Sequence, residues 1–253
     1  MSADPILPPN PRFFHTGDLG DIIACLPIVR KLGGGEFVIG DVPMRLGHGR
    51  RQSMAGERFD SIKKLLEVQP YIRNVVWEER CKLHHYDFST FRTMRNFHGS
   101  TICDWQARYL RVKDVDMSPW LAVDPCPESK GRVVVARSSR YHEDEFPWRS
   151  IIQSIGNRSL FVGLPEEHQA FQEYVGATIE RRETPSLLDV ARTIKGADLT
   201  IVNQTSTFWV AAGLGAPLIQ EVCRRAVDSI VLRPNARYPM STFDYNEIAE
   251  SFK

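Results

Sequence analysis

The chain has 253 residues, with 32 Lys and Arg against 31 Asp and Glu, 42% hydrophobic and 25% charged. That apolar share supports a buried core and excludes a chain that is mostly disordered, while a net charge of +1 excludes a polyelectrolyte that grips nucleic acid by bulk charge. No apolar run reaches the roughly 18 residues of a membrane span, and the opening Met-Ser-Ala-Asp-Pro lacks the basic and apolar regions of a secretory signal, so a cytoplasmic globular protein of one large or two small domains is expected.

The five cysteines, Cys25, Cys81, Cys103, Cys126 and Cys223, are odd in number and scattered, and none forms a C-x-x-C pair. A structural zinc site needs closely spaced ligand pairs. The nearest imitation, His84-His85 beside Cys81, reads as ordinary sequence. Neither a disulfide nor a metal is expected.

In chain order, Pro5, Pro8, Pro9 and Pro11 suit an extended arm. Arg12 to Thr16 reads as a strand. The loop Gly17-Asp18-Leu19-Gly20-Asp21 follows, and apolar residues then recur at helical spacing from Ile22 to Leu32. Gly33-Gly34-Gly35 stops that helix, and Glu36 to Gly40 is the next strand, which completes a βαβ unit. Residues 41–58, with Arg45, Arg50 and Arg51, form a long polar loop. A helix is expected over 59–68, strands over 73–77 and 119–123, and a helix over 104–110. Pro125 and Pro127 forbid regular structure between them, which sets the domain boundary and gives domains 1–125 and 126–253.

The second half repeats the rhythm. Strands are expected over 132–136, 159–163, 178–181, 199–202 and 217–221. Helices fall at 147–156, 166–174, 187–195 and 210–214. Both halves alternate strand and helix, so the fold class is α/β: two Rossmann-type, doubly wound domains facing a cleft.

Ligands of such sheets sit on the loops beyond the carboxyl ends of the strands. Three loops qualify. His15-Thr16-Gly17-Asp18-Leu19-Gly20-Asp21 lacks both the dinucleotide fingerprint and the Walker lysine. Its aspartates would repel a phosphate, so Asp18 or Asp21 either caps the helix or serves as a base. Arg137-Ser138-Ser139-Arg140 suits a pyrophosphate, or else is a solvated charged loop. Asn203-Gln204-Thr205-Ser206-Thr207 places five uncharged hydrogen-bonding residues ahead of an apolar helix, more than capping needs, and favours phosphate or sugar hydroxyls.

The run Gly20-Asp21-Ile22-Ile23-Ala24-Cys25-Leu26-Pro27-Ile28-Val29-Arg30 resembles the opening motif of the heptosyltransferase-type glycosyltransferases, glycosyltransferase family 9, with the GT-B fold. Further similarity runs in register through Glu67 to Val75, Phe161 to Glu167, Ser186 to Leu199, and Asn203 to Pro217. The resemblance implies transfer of a sugar from a nucleotide-diphosphate sugar to a hydroxyl, without metal and without any cofactor beyond that co-substrate. It implies Asp21 as the general base, and an acceptor-side loop of His15, Gly17, Asp18 and Gly20. The donor would be held by Arg137, Ser138, Ser139, Arg140, Asn203, Gln204, Thr205, Ser206 and Thr207. The chain departs from the family pattern where an aspartate has become Gln204, a histidine Trp209, and a lysine Asp144. The acceptor is expected to be a glycan or a modified nucleic-acid base. For the latter, the basic loop 45–51 and the aromatics Trp77, Trp105 and Trp120 would form the surface. The altered donor loop leaves a third reading, a non-catalytic nucleotide-binding module.

Overall fold

The structure is a computed structural model that describes residues 8–41, 53–79, 83–94 and 101–252. The start of the proline-rich arm, the basic loop with Arg45, Arg50 and Arg51, and Cys81 lie outside the described residues. The chain divides into two compact units, Met1–Ala122 and Val123–Lys253.

In the first unit β1 (Arg12–His15) leads to α1 (Leu19–Lys31), β2 (Gly35–Ile39), α2 (Glu57–Glu67), β3 (Ile72–Trp77), β4 (Tyr86–Asp87) and α3 (Ile102–Tyr109). The strands pair in parallel in the order β3-β2-β1-β4. A parallel strand covered by helices has no solvent face, and Phe13, Phe37, Val38 and Ile39 are accordingly all buried. Helix α1 begins three residues ahead of its apolar periodicity, so Asp21 is a helical residue and not the last of the loop. Its end is the glycine triplet: Gly34 takes φ +72° and donates its N–H to the carbonyl of Val29. A Cβ on Gly34 would lie 1.9 Å from the carbonyl oxygen of Tyr71, so this glycine both turns the chain and admits its neighbour.

The strand expected over 119–123 does not form. Trp120 and Leu121 are buried, as their apolar character requires, but their segment hydrogen-bonds to side chains and not to a ladder. The Trp120 carbonyl accepts from the Tyr71 hydroxyl at 2.6 Å, and the Ala122 N–H donates to Oε1 of buried Gln69 at 2.8 Å. Trp105 and Trp120 are 3% and 2% exposed, so these two rings do not form the surface aromatics expected of a nucleic-acid face, while Trp77 is half-buried and edge-on to Phe59. Burying an indole removes far more apolar area from water than exposure allows.

The second unit runs β5 (Val133–Ala136), α4 (Trp148–Ile155), β6 (Ser159–Phe161), α5 (Pro165–Val175), β7 (Glu180–Arg181), α6 (Leu187–Gly196), β8 (Leu199–Asn203), α7 (Ser206–Leu214), β9 (Leu218–Glu221), β10 (Ala236–Arg237) and α8 (Thr242–Glu250). All strands are parallel, in the order β7-β6-β5-β8-β9-β10, the 3-2-1-4-5-6 order of a doubly wound sheet. Helix α7 starts at Ser206, four residues before the expected Val210, because the extended Thr205 ends the strand connection at once. Helix α8 and the two-residue strands β4 and β10 have no counterpart among the sequence expectations: the strands are too short to show a period. Helix α8 is announced only by Ser241, whose side chain caps Asp244 in a reciprocal box.

Gly34→Ala is expected to lose more stability than Gly56→Ala in urea unfolding. Both glycines have positive φ, +72° and +67°, so both variants carry a backbone cost of about 1–3 kcal/mol. Only Gly34 adds a clash with backbone, since a Cβ at Gly56 meets nothing within 4 Å.

Candidate active site

Each sheet has one place where its strand order reverses, and the crevice beyond those strand ends is where a ligand can enter between diverging loops. In the first unit that point lies between β1 and β4. Strand β1 ends at His15, which is 1% exposed and stacked against Phe88. The Gly17 N–H donates to His15 Nδ1 at 2.7 Å, and a Cβ on Gly17 would fall 2.3 Å from His15 Cε1. Gly17 is thus a glycine because the imidazole lies against it.

Asp18 occupies the cap position of α1, yet its carboxylate makes no cap bond and lies instead 3.8 Å from Arg58. Gly20 is the second residue of the helix. Asp21, in the first turn, is 4% exposed. Its two carboxylate oxygens lie 2.8 and 2.7 Å from Nη2 of Arg92, and its main-chain carbonyl accepts from Nε2 of Gln106 at 3.0 Å. The same amide nitrogen lies 3.2 Å from His15 Nε2. Asp18 thus stands at the N-cap without a side-chain cap bond, and the Asp21 carboxylate pairs with Arg92. Arg92 and Gln106 were not singled out in the sequence. Arg92 comes from the short turn after β4, where no periodicity or motif marks it, and Gln106 lies within α3, where helical spacing gives its position but not its partner.

In the second unit the reversal lies between β5 and β8, and the loops expected to bind the donor meet there. Asn203, the last residue of β8, is fully buried. Its Oδ1 accepts from the Ser138 N–H at 3.1 Å, and its Nδ2 donates to the carbonyl of Arg140 at 2.6 Å. Gln204 reaches the other way: its Oε1 accepts from the Cys223 N–H at 2.7 Å and its Nε2 donates to the carbonyl of Ala226. An aspartate at 204 could not make that second bond, which accounts physically for this departure. Ser139 and Arg140 are exposed, Thr205 caps α7 by position without a side-chain bond, and Ser206 and Thr207 sit in the first turn. First-turn amides have no partners within a helix.

Arg137 differs from its expected role. Its Nε and Nη2 donate to Glu221 at 2.9 and 3.0 Å, and its guanidinium lies 4.3 Å over the Tyr174 ring. Glu221 is fully buried at the end of β9 and also accepts from the Glu143 N–H and the Trp148 indole N–H, both at 2.8 Å. A carboxylate taken wholly from water needs such a set of donors. The arginine forms part of the frame beneath the loop, and Arg140 is the guanidinium that the loop presents outward. Trp209 is buried in α7, edge-on to Phe208. Burial pushes the Tyr174 hydroxyl up, and the Arg224 hydrogen bond holds the Glu143 carboxyl below its ordinary range.

Among the described residues no group of three or more His, Cys, Asp or Glu is placed to hold a metal, and Cys25, Cys103, Cys126 and Cys223 are free thiols. No helix among the described residues is long and apolar enough to cross a membrane.

No family model and no curated protein sequence matches the chain. Solved structures do. A glycosyl transferase family 9 protein from Veillonella parvula DSM 2008 matches at 12% identity with a TM-score of 0.59, over 97% of this chain and 89% of that one. The E. coli heptosyltransferase WaaC with ADP matches at 12% identity and 0.62, over 96% of this chain and 100% of the other. The E. coli ADP-heptose lps heptosyltransferase II matches at 10% identity and 0.56, over 83% and 84%. The chain has the two-sheet, GT-B-like α/β fold of the heptosyltransferase-type glycosyltransferases that its motifs resemble.

Glu221→Gln is expected to destabilise the second unit by about 3–5 kcal/mol, because it leaves the Arg137 charge buried against a neutral amide. Adding Arg137→Met should recover most of that loss. A double-variant loss equal to the sum of the Glu221→Gln and Arg137→Met losses taken singly, measured by denaturant unfolding, would show that the pair is not coupled.

Proposed function

We propose that the protein is a glycosyltransferase that uses a nucleotide-diphosphate sugar, with Asp21 as general base. The observation that carries the reading is the place of Asp21: a buried carboxylate on the first helical turn beyond β1, at the reversal point of the first sheet. In the step, the acceptor hydroxyl gives its proton to the Asp21 carboxylate as its oxygen bonds to the anomeric carbon. The bond from that carbon to the diphosphate oxygen breaks, and its electron pair leaves on the diphosphate. The second unit holds the leaving group: Arg140, the main-chain N–H groups at the start of α7, and the hydroxyls of Ser138, Ser139, Thr205, Ser206 and Thr207 meet its charge in place of a cation. His15, Gly17, Asp18 and Gly20 shape the acceptor side, the first two through the imidazole contact that orders the loop.

Asn203 and Gln204 act through the loops that they hold, and Arg137 through Glu221. The heptosyltransferase WaaC was solved with ADP, so ADP and ADP-sugars are the first probes. The reading of the acceptor as a modified nucleic-acid base loses two of its three aromatics, since Trp105 and Trp120 are in the core. A glycan hydroxyl is the acceptor proposed.

A thermal-shift screen tests the donor. A nucleotide sugar at one hundred times its Kd adds about 2.7 kcal/mol and raises the melting temperature by several degrees. Indifference to every nucleoside diphosphate and every nucleotide sugar would sink the reading. Asp21→Asn is expected to lower the transfer rate about 10²- to 10⁴-fold while leaving the donor-induced shift in place. Binding of donor without transfer or hydrolysis by the wild-type chain would instead identify a nucleotide-binding module.

A further inference from the structure

We propose that Arg92 is the positioning residue of the Asp21 carboxylate: it keeps the group ionised and sets which of its lone pairs face an acceptor hydroxyl. The proposal deepens the glycosyltransferase reading and rests on it for the acceptor. Nη2 of Arg92 bridges the two Asp21 oxygens at 2.8 and 2.7 Å, and the Asp21 side chain is 6% exposed. With so little water around it, a carboxylate lacking a counter-charge takes a proton and ceases to be a base. A single bridging nitrogen engages one lone pair on each oxygen, and a carboxylate offers about four such sites. Reception of a hydroxyl proton is therefore compatible with the ion pair. Once that proton arrives, the adjacent guanidinium favours its release to solvent, which restores the base for another turnover.

The turn that carries Arg92 is built to hold it there. Residues Phe91–Thr93 form one turn of 3-10 helix just after β4. Phe91 is 1% exposed and meets the His15 ring edge-on, while the Arg92 guanidinium lies 4.8 Å over the Phe91 ring. The Thr93 hydroxyl donates to the Thr90 carbonyl at 2.8 Å, and the Thr90 hydroxyl donates to that of Tyr109 on α3 at 2.6 Å. Among the described residues, the other groups named around Asp21 are of different kinds. His15 ends β1. Asp18, at the head of the same helix, is turned toward Arg58 of α2. Cys25, one turn on, is a thiol that burial pushes well up, and Gln106 of α3 is uncharged. Arg92 brings a full positive charge to hydrogen-bond distance of the carboxylate.

Titration of the Asp21 carboxyl carbon by NMR, on the full chain with labelled aspartate and the signal assigned by Asp21→Asn, tests this without any substrate. The wild-type midpoint is expected below the roughly 3.9 of an ordinary aspartate. In Arg92→Gln it should rise by about 1–3 pH units, since removing the cation removes the preference for the charged form. Arg92→Lys, which restores the charge, should return it most of the way. A purely structural role would lower the melting temperature of both variants and leave the midpoint alone, and that result overturns the proposal. A wild-type midpoint at or above the ordinary value overturns it too. If Arg92→Gln does not fold, Arg92→Met takes its place, and a midpoint that stays at the wild-type value overturns the proposal. Transfer assays separate the two readings. A wild-type chain that transfers to no acceptor sinks the glycosyltransferase reading and leaves the titration standing. An active enzyme in which Arg92→Gln does not move the acid limb of kcat/KM upward sinks the role of Arg92 alone.

Discussion

Both sheets are wholly parallel, and this constraint orders everything else. A parallel strand can be followed by its neighbour only after the chain crosses back over a face of the sheet, so every strand ends on the same edge. The functional loops of each unit must therefore gather at that edge. In the first unit β1 to β3 wind one way and β4 is added on the other side of β1. In the second, β5 to β7 wind one way and β8 to β10 the other. The loops diverge at a single place in each sheet, and there stand His15, Asp21 and Arg92 in one unit, and Ser138, Asn203 and Gln204 in the other.

Loops gathered at an edge still need their own backbone groups satisfied, and buried side chains at the strand ends do this. Asn203 and Gln204 are adjacent residues that hold the loops following β5 and β9, one on each side of β8. Glu221 does the same with charge: its carboxylate takes two donors from Arg137, one from the main chain of Glu143 and one from the Trp148 indole. Polar residues on a presumed binding loop thus divide into a frame and a surface. Amides and carboxylates that are fully buried and saturated with protein partners belong to the frame. Ser139 and Arg140 remain outward.

The same division explains where the sequence was readable. The alternation of apolar runs with glycine and proline marked most of the strands and helices, because burial of one face imposes a period on local sequence. The apolar segment 119–123 misled, since apolar character records burial alone. The segment is buried, but its main chain finds side-chain partners far back in the chain, Tyr71 and Gln69 about fifty residues earlier and Arg30 earlier still. Strands of two residues such as β4 carry no period at all, yet β4 decides where the first sheet reverses.

By itself the sequence determined that the chain is α/β with two winding halves, and that Gly20-Asp21 and Asn203 to Thr207 stand where a strand gives way to a helix. Those features are local, and their physical causes act within a few residues. Only the tertiary structure decided which of the polar side chains are partners. Arg137 is spent on Glu221, eighty-four residues away, and Asp21 meets Arg92, seventy-one residues away. Ion pairs leave no trace in local periodicity, because a charge chooses its partner by distance in space and by the water excluded around it.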